Sequence, residues 1–469
     1  MAKIVQSRDY LELVLYQGIA LKRETWGSRL GFIFAVAGSA IGLANIWRFP
    51  YIVGQHGGGA FILIYLLCLA LMGFPIFIAE TLIGRTTHSS PSRAFQELGR
   101  GKGWGSIGKL TILTGFLVSS FYSAVAGWIL GYLFEAFSGK IFTFQTIQHA
   151  TLHYNNLVDH PFWGLFFHLI FLATCTSVLY MGVREGIERA SKIMLPALFA
   201  VLFLLVARGL MMESAPAALA FLFTPDWSSL SPQAIVAAMG QAFFTLSVGQ
   251  GTLVTYGSYL KGHENLLRNC FPVVLMDTLV SLLSAIAVFS IVFSVGMEPD
   301  SGPGLIFQTL PWAFSQISGG YILGILFFLL VFLAALTSEI SAMEPFIAFL
   351  MDEKGWKRRS AVMVCGIGAF IVGIPSALSY NLLKGYTVGG MNFLDLISAF
   401  CSNVLIPIGG FFAILLVGWR WGVSKAIPQL EQGAESLFQR HPLLSSYFWF
   451  CFKYSAPALI IFVFLSTLI

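Results

Sequence analysis

The chain has 469 residues, of which 57% are apolar, 15% aromatic and only 10% charged. Such a composition lies outside the range of water-soluble domains and excludes a soluble enzyme or binding module. The net charge of +5 sits in the loops and reads as a topology signal, so no nucleic-acid partner is inferred.

A hydrocarbon core of about 30 Å requires roughly 20 consecutive apolar residues per helix. Runs of that kind lie near residues 28–52, 58–83, 109–136, 162–181, 191–211, 233–260, 269–295, 319–350, 360–378, 391–419 and 447–468. They predict an all-α polytopic membrane protein with eleven transmembrane helices in a single membrane domain.

The first run follows a stretch holding Arg8, Asp9, Lys22, Arg23 and Glu24 and ends in no small-residue cleavage site, so it reads as a span rather than a signal peptide. Within it, AVAGSAIGLANIWRFP (35–50) carries Gly38, Ser39, Gly42, Asn45, Arg48 and Pro50. Gly38 and Gly42 form a GxxxG pair, which alone reads as a surface for close helix packing. That reading accounts neither for Asn45 nor for a second interruption in the sixth run, GQAFFTLSVGQG, where Thr245, Ser247, Gly249, Gln250 and Gly251 break an apolar segment.

Residues 138–161 and 297–318 read as polar outer loops. Asp277 sits in the middle of the seventh run, where an acid is costly and marks a functional site. The six cysteines lie in or beside apolar runs without CxxC spacing and read as reduced packing residues.

Basic residues decide the orientation. The N-terminal stretch (Lys3, Arg8, Lys22, Arg23, Arg29) and the even-numbered connections hold nearly all of them, leaving Arg48, Lys140, Arg208 and Lys384 for the other side. The positive-inside rule then places the N-terminus in the cytoplasm of a cell inner membrane and the C-terminus outside.

The two broken runs are the first and the sixth, so residues 28–211 and 233–419 form two halves of five spans, with 447–468 as an extra helix. An odd number of spans per half inverts the second half, and matching breaks in inverted halves point to a transporter with a midplane site. Carbonyls freed at a break can ligate a small cation, and a half-helix N-terminus can face a carboxylate. Asn45, Thr245, Asp277, Thr337 and Ser338 supply the oxygen ligands that a hard cation prefers.

WGSRLGFIFAVAGSAIGLANIWRFPY, followed by GGGAF, AETLIGR, GQAFFTLSVGQG and LAALTSEISAMEP, closely resembles the neurotransmitter:sodium symporter family, in its bacterial eleven-span form, over essentially the whole chain. The resemblance implies a LeuT-like 5+5 inverted repeat with broken helices one and six. It implies a first sodium held by Ala40, Asn45, Thr245, Asp277 and the substrate carboxylate, and a second held by Gly38, Ile41, Ala334, Thr337 and Ser338. The substrate would lie against Ala40, Gly42, Leu43, Ala44, Val118, Tyr122, Phe244, Thr245, Ser247, Gln250, Ser338 and Ala342. Arg48 with Asp395 or Ser398 would form the outer gate, Arg23, Trp26, Tyr259 and Asp352 the inner one, and Glu80 would brace the breaks.

Departures from the family pattern refine the expectation. Amine-carrying members have an aspartate where this chain has Gly42, so the substrate should bring its own carboxylate. Tyr65, Gln241, Thr245 and Ser281 resemble the chloride site of animal members, but Asp277 already places a negative charge there, which implies chloride-independent transport. Gln250 and Ala342 replace larger apolar groups and leave room for a bulky or partly polar side chain.

The expected activity is sodium-coupled import of a neutral, hydrophobic or aromatic amino acid by alternating access. An ion channel and a non-transporting amino-acid sensor of the same fold are the alternatives. No catalytic constellation such as HExxH or a nucleophile-base pair supports an enzyme.

Overall fold

A computed structural model describes residues 23–297 and 303–468. Lys3, Arg8, Asp9 and Lys22, used above for orientation, lie outside the described residues, as does part of the predicted loop 297–318.

Among the described residues, nine continuous helices are long and apolar enough to cross a membrane, and a pair bent by 52° makes ten. The bent pair, Arg29–Ala40 and Ala44–Gln55, is the predicted first span. The second to fifth spans are Gly59–Thr87, Lys102–Phe137, Pro161–Tyr180 and Val183–Leu210. The seventh to eleventh are Leu266–Ser294, Gly320–Lys354, Arg358–Ala377, Phe393–Arg420 and Leu443–Ser466. The sixth is interrupted more deeply, as Pro232–Phe244 and Thr252–Gly257, and neither half alone reaches spanning length.

Local sequence explains both interruptions. In the first span Ile41 turns extended at φ −74° and ψ 104°, and the chain resumes as helix beyond Gly42. In the sixth, Ser247, Gly249 and Gly251 all take positive φ, at 53°, 80° and 76°. Left-handed residues at this density end an α-helix, and serine adopts that conformation only under constraint. Elsewhere the helices start conventionally: Ser231 and Asn265 accept from Ala234 N and Arg268 N, and Pro232 occupies a first turn where its missing N–H costs nothing.

The spans sort into two packed groups. The third, fourth, eighth and ninth pack on one another, while the first, second, sixth and seventh form a second cluster. The first half of the first span crosses the eighth span, so the two breaks face the third and eighth spans at mid-depth.

Segments read as loops carry helices of their own. Ile147–Val158 lies between the third and fourth spans, Ala215–Phe223 between the fifth and sixth, and Thr309–Gln316 before the eighth. The first is anchored by His153, 2.5 Å from the Glu135 carboxylate. All six cysteines are buried and unpaired.

Gly249 is the tightest point of the sixth-span break, because a Cβ there would lie 2.1 Å from the Ile406 carbonyl oxygen. Gly249→Ala should therefore lower stability by about 1–3 kcal/mol, through clash and the left-handed backbone together. Gly103→Ala, whose added Cβ would meet nothing within 4 Å, should leave the thermal unfolding temperature in detergent unchanged or slightly raised. Equal melting behaviour of the two variants would contradict the packing described.

Candidate functional site

Every residue expected to contact substrate, except Thr245, lines one cavity between the two breaks, together with Ser39, Thr252 and Glu339. Thr245 sits immediately behind, in a fully buried polar cluster with Asn45, Asp277 and Ser281. The Asn45 amide nitrogen donates to Asp277 Oδ1 at 2.7 Å, Ser281 Oγ at 2.9 Å and Thr245 Oγ1 at 3.0 Å. Its amide oxygen accepts from the Gly42 N–H at 2.9 Å, and the Thr245 hydroxyl lies 3.0 Å from both Asp277 oxygens. One carboxylate, one amide and two hydroxyls thus converge beside the first break. Among the described residues no three His, Cys, Asp or Glu side chains gather to hold a metal. The oxygens that converge, from one carboxylate and two hydroxyls, carry a single charge, which suits a hard monovalent cation carried as cargo.

The second expected ion set is assembled in part. A Cβ on Gly38 would lie 3.0 Å from Thr337 Cβ, so the first and eighth spans touch there. Thr337 Oγ1 donates to Ala334 O at 3.1 Å, and the hydroxyls of Ser338 and Ser247 both donate to Ser39 O at 2.9 Å. Ile41, at the turn itself, is completely buried.

Side chains around the breaks satisfy the opened backbone. Glu80 Oε1 accepts from Gly249 N at 2.7 Å, and Gln241 Nε2 donates to Ala44 O at 3.1 Å. Tyr122 Oη accepts a long bond of 3.4 Å from Leu43 N. At Gly42 there is no space for a side chain: a Cβ would lie 2.6 Å from Ser338 Oγ and 3.2 Å from Tyr122 Oη.

A profile of the sodium:neurotransmitter symporter family matches residues 23–161 and 159–469. The chain belongs to this family. It is similar to the sodium-dependent transporter YhdH of Bacillus subtilis, with 37% identity over 94% of this chain and 97% of that protein. It also resembles the crystal structure of MhsT in complex with L-phenylalanine, at a TM-score of 0.86 and 39% identity over 95% of this chain and 99% of that one. The sodium-dependent serotonin transporter of Drosophila melanogaster is 27% identical over 95% of this chain and 76% of its own length. The chain is accordingly a sodium-dependent, multi-pass membrane transporter with a LeuT-like fold.

In this family member the two ends of the pathway differ. At the end carrying Arg23, the Arg23 guanidinium pairs with Asp352 and donates to Ser258 Oγ at 2.6 and 3.0 Å. Asp352 also accepts from Ser90 N at 2.8 Å. Trp26 is buried among Phe32, Tyr256 and Tyr259, and donates through Nε1 to Tyr256 O at 3.0 Å. That end is shut.

At the opposite end a vestibule of about 800 Å³ reaches down to Phe244 and Tyr122, which line both it and the cavity between the breaks. Arg48 lies 4.9 Å above the Phe244 ring, an attraction of cation and ring face. Asp395 and Ser398 line the same vestibule, but Asp395 is held by Asn392, which donates at 2.8 Å. Among the described residues no ion pair joins Arg48 to Asp395.

Sequence reasoning missed a second layer behind the shut end. Glu344, fully buried in the eighth span, accepts two bonds from Arg358 at 2.9 and 2.8 Å and a third from Tyr259 Oη at 2.7 Å. Glu24 lies 3.8 Å from Arg358 and accepts from Val183 N at 2.5 Å. Glu188 clamps the start of the first span through Gly27 N and Ser28 Oγ, at 2.7 and 2.8 Å. The available signal was Glu344 itself, an acid inside an apolar run that must find a cation nearby.

Removing one partner of a buried ion pair leaves a stranded charge, whereas removing both leaves an apolar gap. Arg358→Met should cost about 3–5 kcal/mol of stability, and adding Glu344→Met should recover most of the loss. Thermal unfolding followed by tryptophan fluorescence measures both, and simply additive losses would contradict the pairing.

Proposed function

We propose that the protein is a sodium-coupled symporter that imports a neutral amino acid with a bulky hydrophobic or aromatic side chain by alternating access. The observation that carries this reading is the convergence of Asn45, Thr245 and Asp277 beside a cavity in which a side chain at Gly42 would press on Ser338 Oγ and Tyr122 Oη. A substrate carboxylate near Gly42 would complete the shell formed by Asn45, Thr245, Asp277 and the Ala40 carbonyl around a first sodium. Sodium and substrate then bind cooperatively because they share a ligand.

A second sodium would take the carbonyls of Gly38, Ile41 and Ala334 with the hydroxyls of Thr337 and Ser338. Two ions entering together would each supply roughly 2.3 kcal/mol per 100 mV of membrane potential. Asp277 supplies the fixed negative charge that makes chloride unnecessary, since a chloride ion beside it would be repelled. Tyr122 orients the carboxylate, while Val118, Phe244, Ser247, Gln250 and Ala342 receive the side chain. The binding of L-phenylalanine by the similar protein MhsT supports an aromatic substrate.

Residues 28–211 and 233–419 act as the inverted repeats, with 447–468 appended. The shut end, with Arg23, Trp26, Tyr259 and Asp352, faces the cytoplasm, which puts the C-terminus outside the cell inner membrane. The vestibule end is the entrance. Arg48 descends with Phe244 on closure, and Asp395 or Ser398 receives it from the opposite wall.

Sodium-driven uptake into proteoliposomes, screened across the amino acids, tests the reading. Asp277→Ala should abolish sodium-dependent uptake or weaken it at least about tenfold, since it removes the only carboxylate of the protein in the proposed shell. Replacing chloride with gluconate should leave uptake unchanged, and a monoamine lacking a carboxylate should not be accumulated. Large single-channel currents would favour a channel, and binding without accumulation would favour a sensor.

A further inference from the structure

Glu339 follows Ser338 in the eighth span, and sequence reasoning assigns it no role. It lines the substrate cavity, yet its side chain is fully shielded from solvent. Its Oε1 accepts a hydrogen bond from the Ser119 hydroxyl on the third span. Its Oε2 has no partner among the described residues. A buried carboxylate oxygen in that state is costly, and lipid offers no donor to relieve it.

Small residues surround Glu339. Ala342, one turn further along the eighth span, is small and lines the same cavity. Gly115 lets the third span approach closely, since a Cβ there would lie 2.9 Å from Gln250 O and 3.2 Å from Ala342 O. The cavity wall combines the apolar Val118, Phe244 and Ala342 with the polar Ser247, Gln250 and Thr252.

We infer that Glu339 is a specificity residue for the substrate side chain, which it recognises through a hydrogen bond to Oε2. The site then favours bulky amino acids whose ring carries an N–H or O–H, such as indole or phenol, over rings of similar shape that carry neither. This inference rests on the amino-acid symport proposed above and names the substrate class of that same site. A cationic side chain fits less well. A guanidinium brings five N–H donors and an ammonium three, whereas Glu339 offers one unpaired acceptor, Oε2. An indole N–H has one donor and uses it fully. A site built around such a bond rejects the analogue lacking it, because the protein's own group is left unpaired.

The test is equilibrium binding of radiolabelled matched pairs to the purified full-length transporter in sodium: L-tyrosine against L-phenylalanine, and L-tryptophan against its ring N-methyl derivative. In the wild type the donor-bearing member should bind on the order of tenfold more tightly in each pair. Glu339→Leu should bring both ratios close to one while phenylalanine binding stays sodium-dependent. Glu339→Gln, whose amide oxygen still accepts, should keep the preference. Wild-type ratios at or below one overturn the inference whatever the variants do, and so does a preference for lysine or arginine over every neutral amino acid. A preference that survives in Glu339→Leu overturns it too, by assigning the recognition to another group. Sodium-dependent binding with ratios of one leaves the symport reading standing, whereas absence of sodium-dependent binding of every amino acid removes both.

Discussion

A chain that unwinds inside a membrane must find partners for the backbone groups it releases, because lipid supplies none. Much of the centre of this protein is organised by that requirement. Glu80 takes the Gly249 N–H, Asn45 takes the Gly42 N–H, Gln241 takes the Ala44 carbonyl, and two serines from different spans share the Ser39 carbonyl. Each of these side chains is polar and sits within an apolar span. Each tolerates that position because the broken helix gives it something to bind. The breaks and their partners form one construction, and the cavity lies in the space between them.

The same economy of polar groups makes the two ends unequal. At the Arg23 end, charges are layered: Arg23 with Asp352, then Tyr259 with Glu344, then Arg358 and Glu24. Glu344 and Arg358 are its most deeply buried charges, so freeing either one strands the other. At the vestibule end, Arg48 rests on the Phe244 ring and Asp395 is occupied by Asn392. Among the described residues no comparable ion-pair stack is formed there. The difference is one of charge pairing.

What was legible in the sequence follows the strength of each local signal. Long apolar runs set the spans, and Gly42, Asn45 and Asp277 stood out because each is awkward in lipid. The structure brings Asn45 and Asp277 within 2.7 Å although they are far apart in the chain. The helix Ile147–Val158 was not legible, because its apolar positions are too few to separate it from a polar loop. Glu24 and Arg358 were missed for another reason: each lies at the end of an apolar run, where a charge needs no special explanation. Their role arises only from tertiary proximity to Glu344. Ser119 carries no signal of its own in the sequence, and only its contact with Glu339 distinguishes it.

Gly42 ties these strands together. The space that a Cβ would need there is held by Ser338 Oγ, 2.6 Å away, and by Tyr122 Oη, 3.2 Å away. Ser338 is a proposed ligand of the second sodium, Tyr122 of the substrate carboxylate, and the Gly42 N–H is held by Asn45 of the first sodium shell. Any side chain at this position would therefore press on both proposed ion sites and on the carboxylate at once. An aspartate here would require the Ser338 and Tyr122 side chains to move aside, and its own carboxylate would then compete for the place otherwise left to the substrate. The absence of a side chain thus lets the Ser338 and Tyr122 hydroxyls crowd the break. It is also the reason that a substrate carrying its own carboxylate suits this site better than a bare amine.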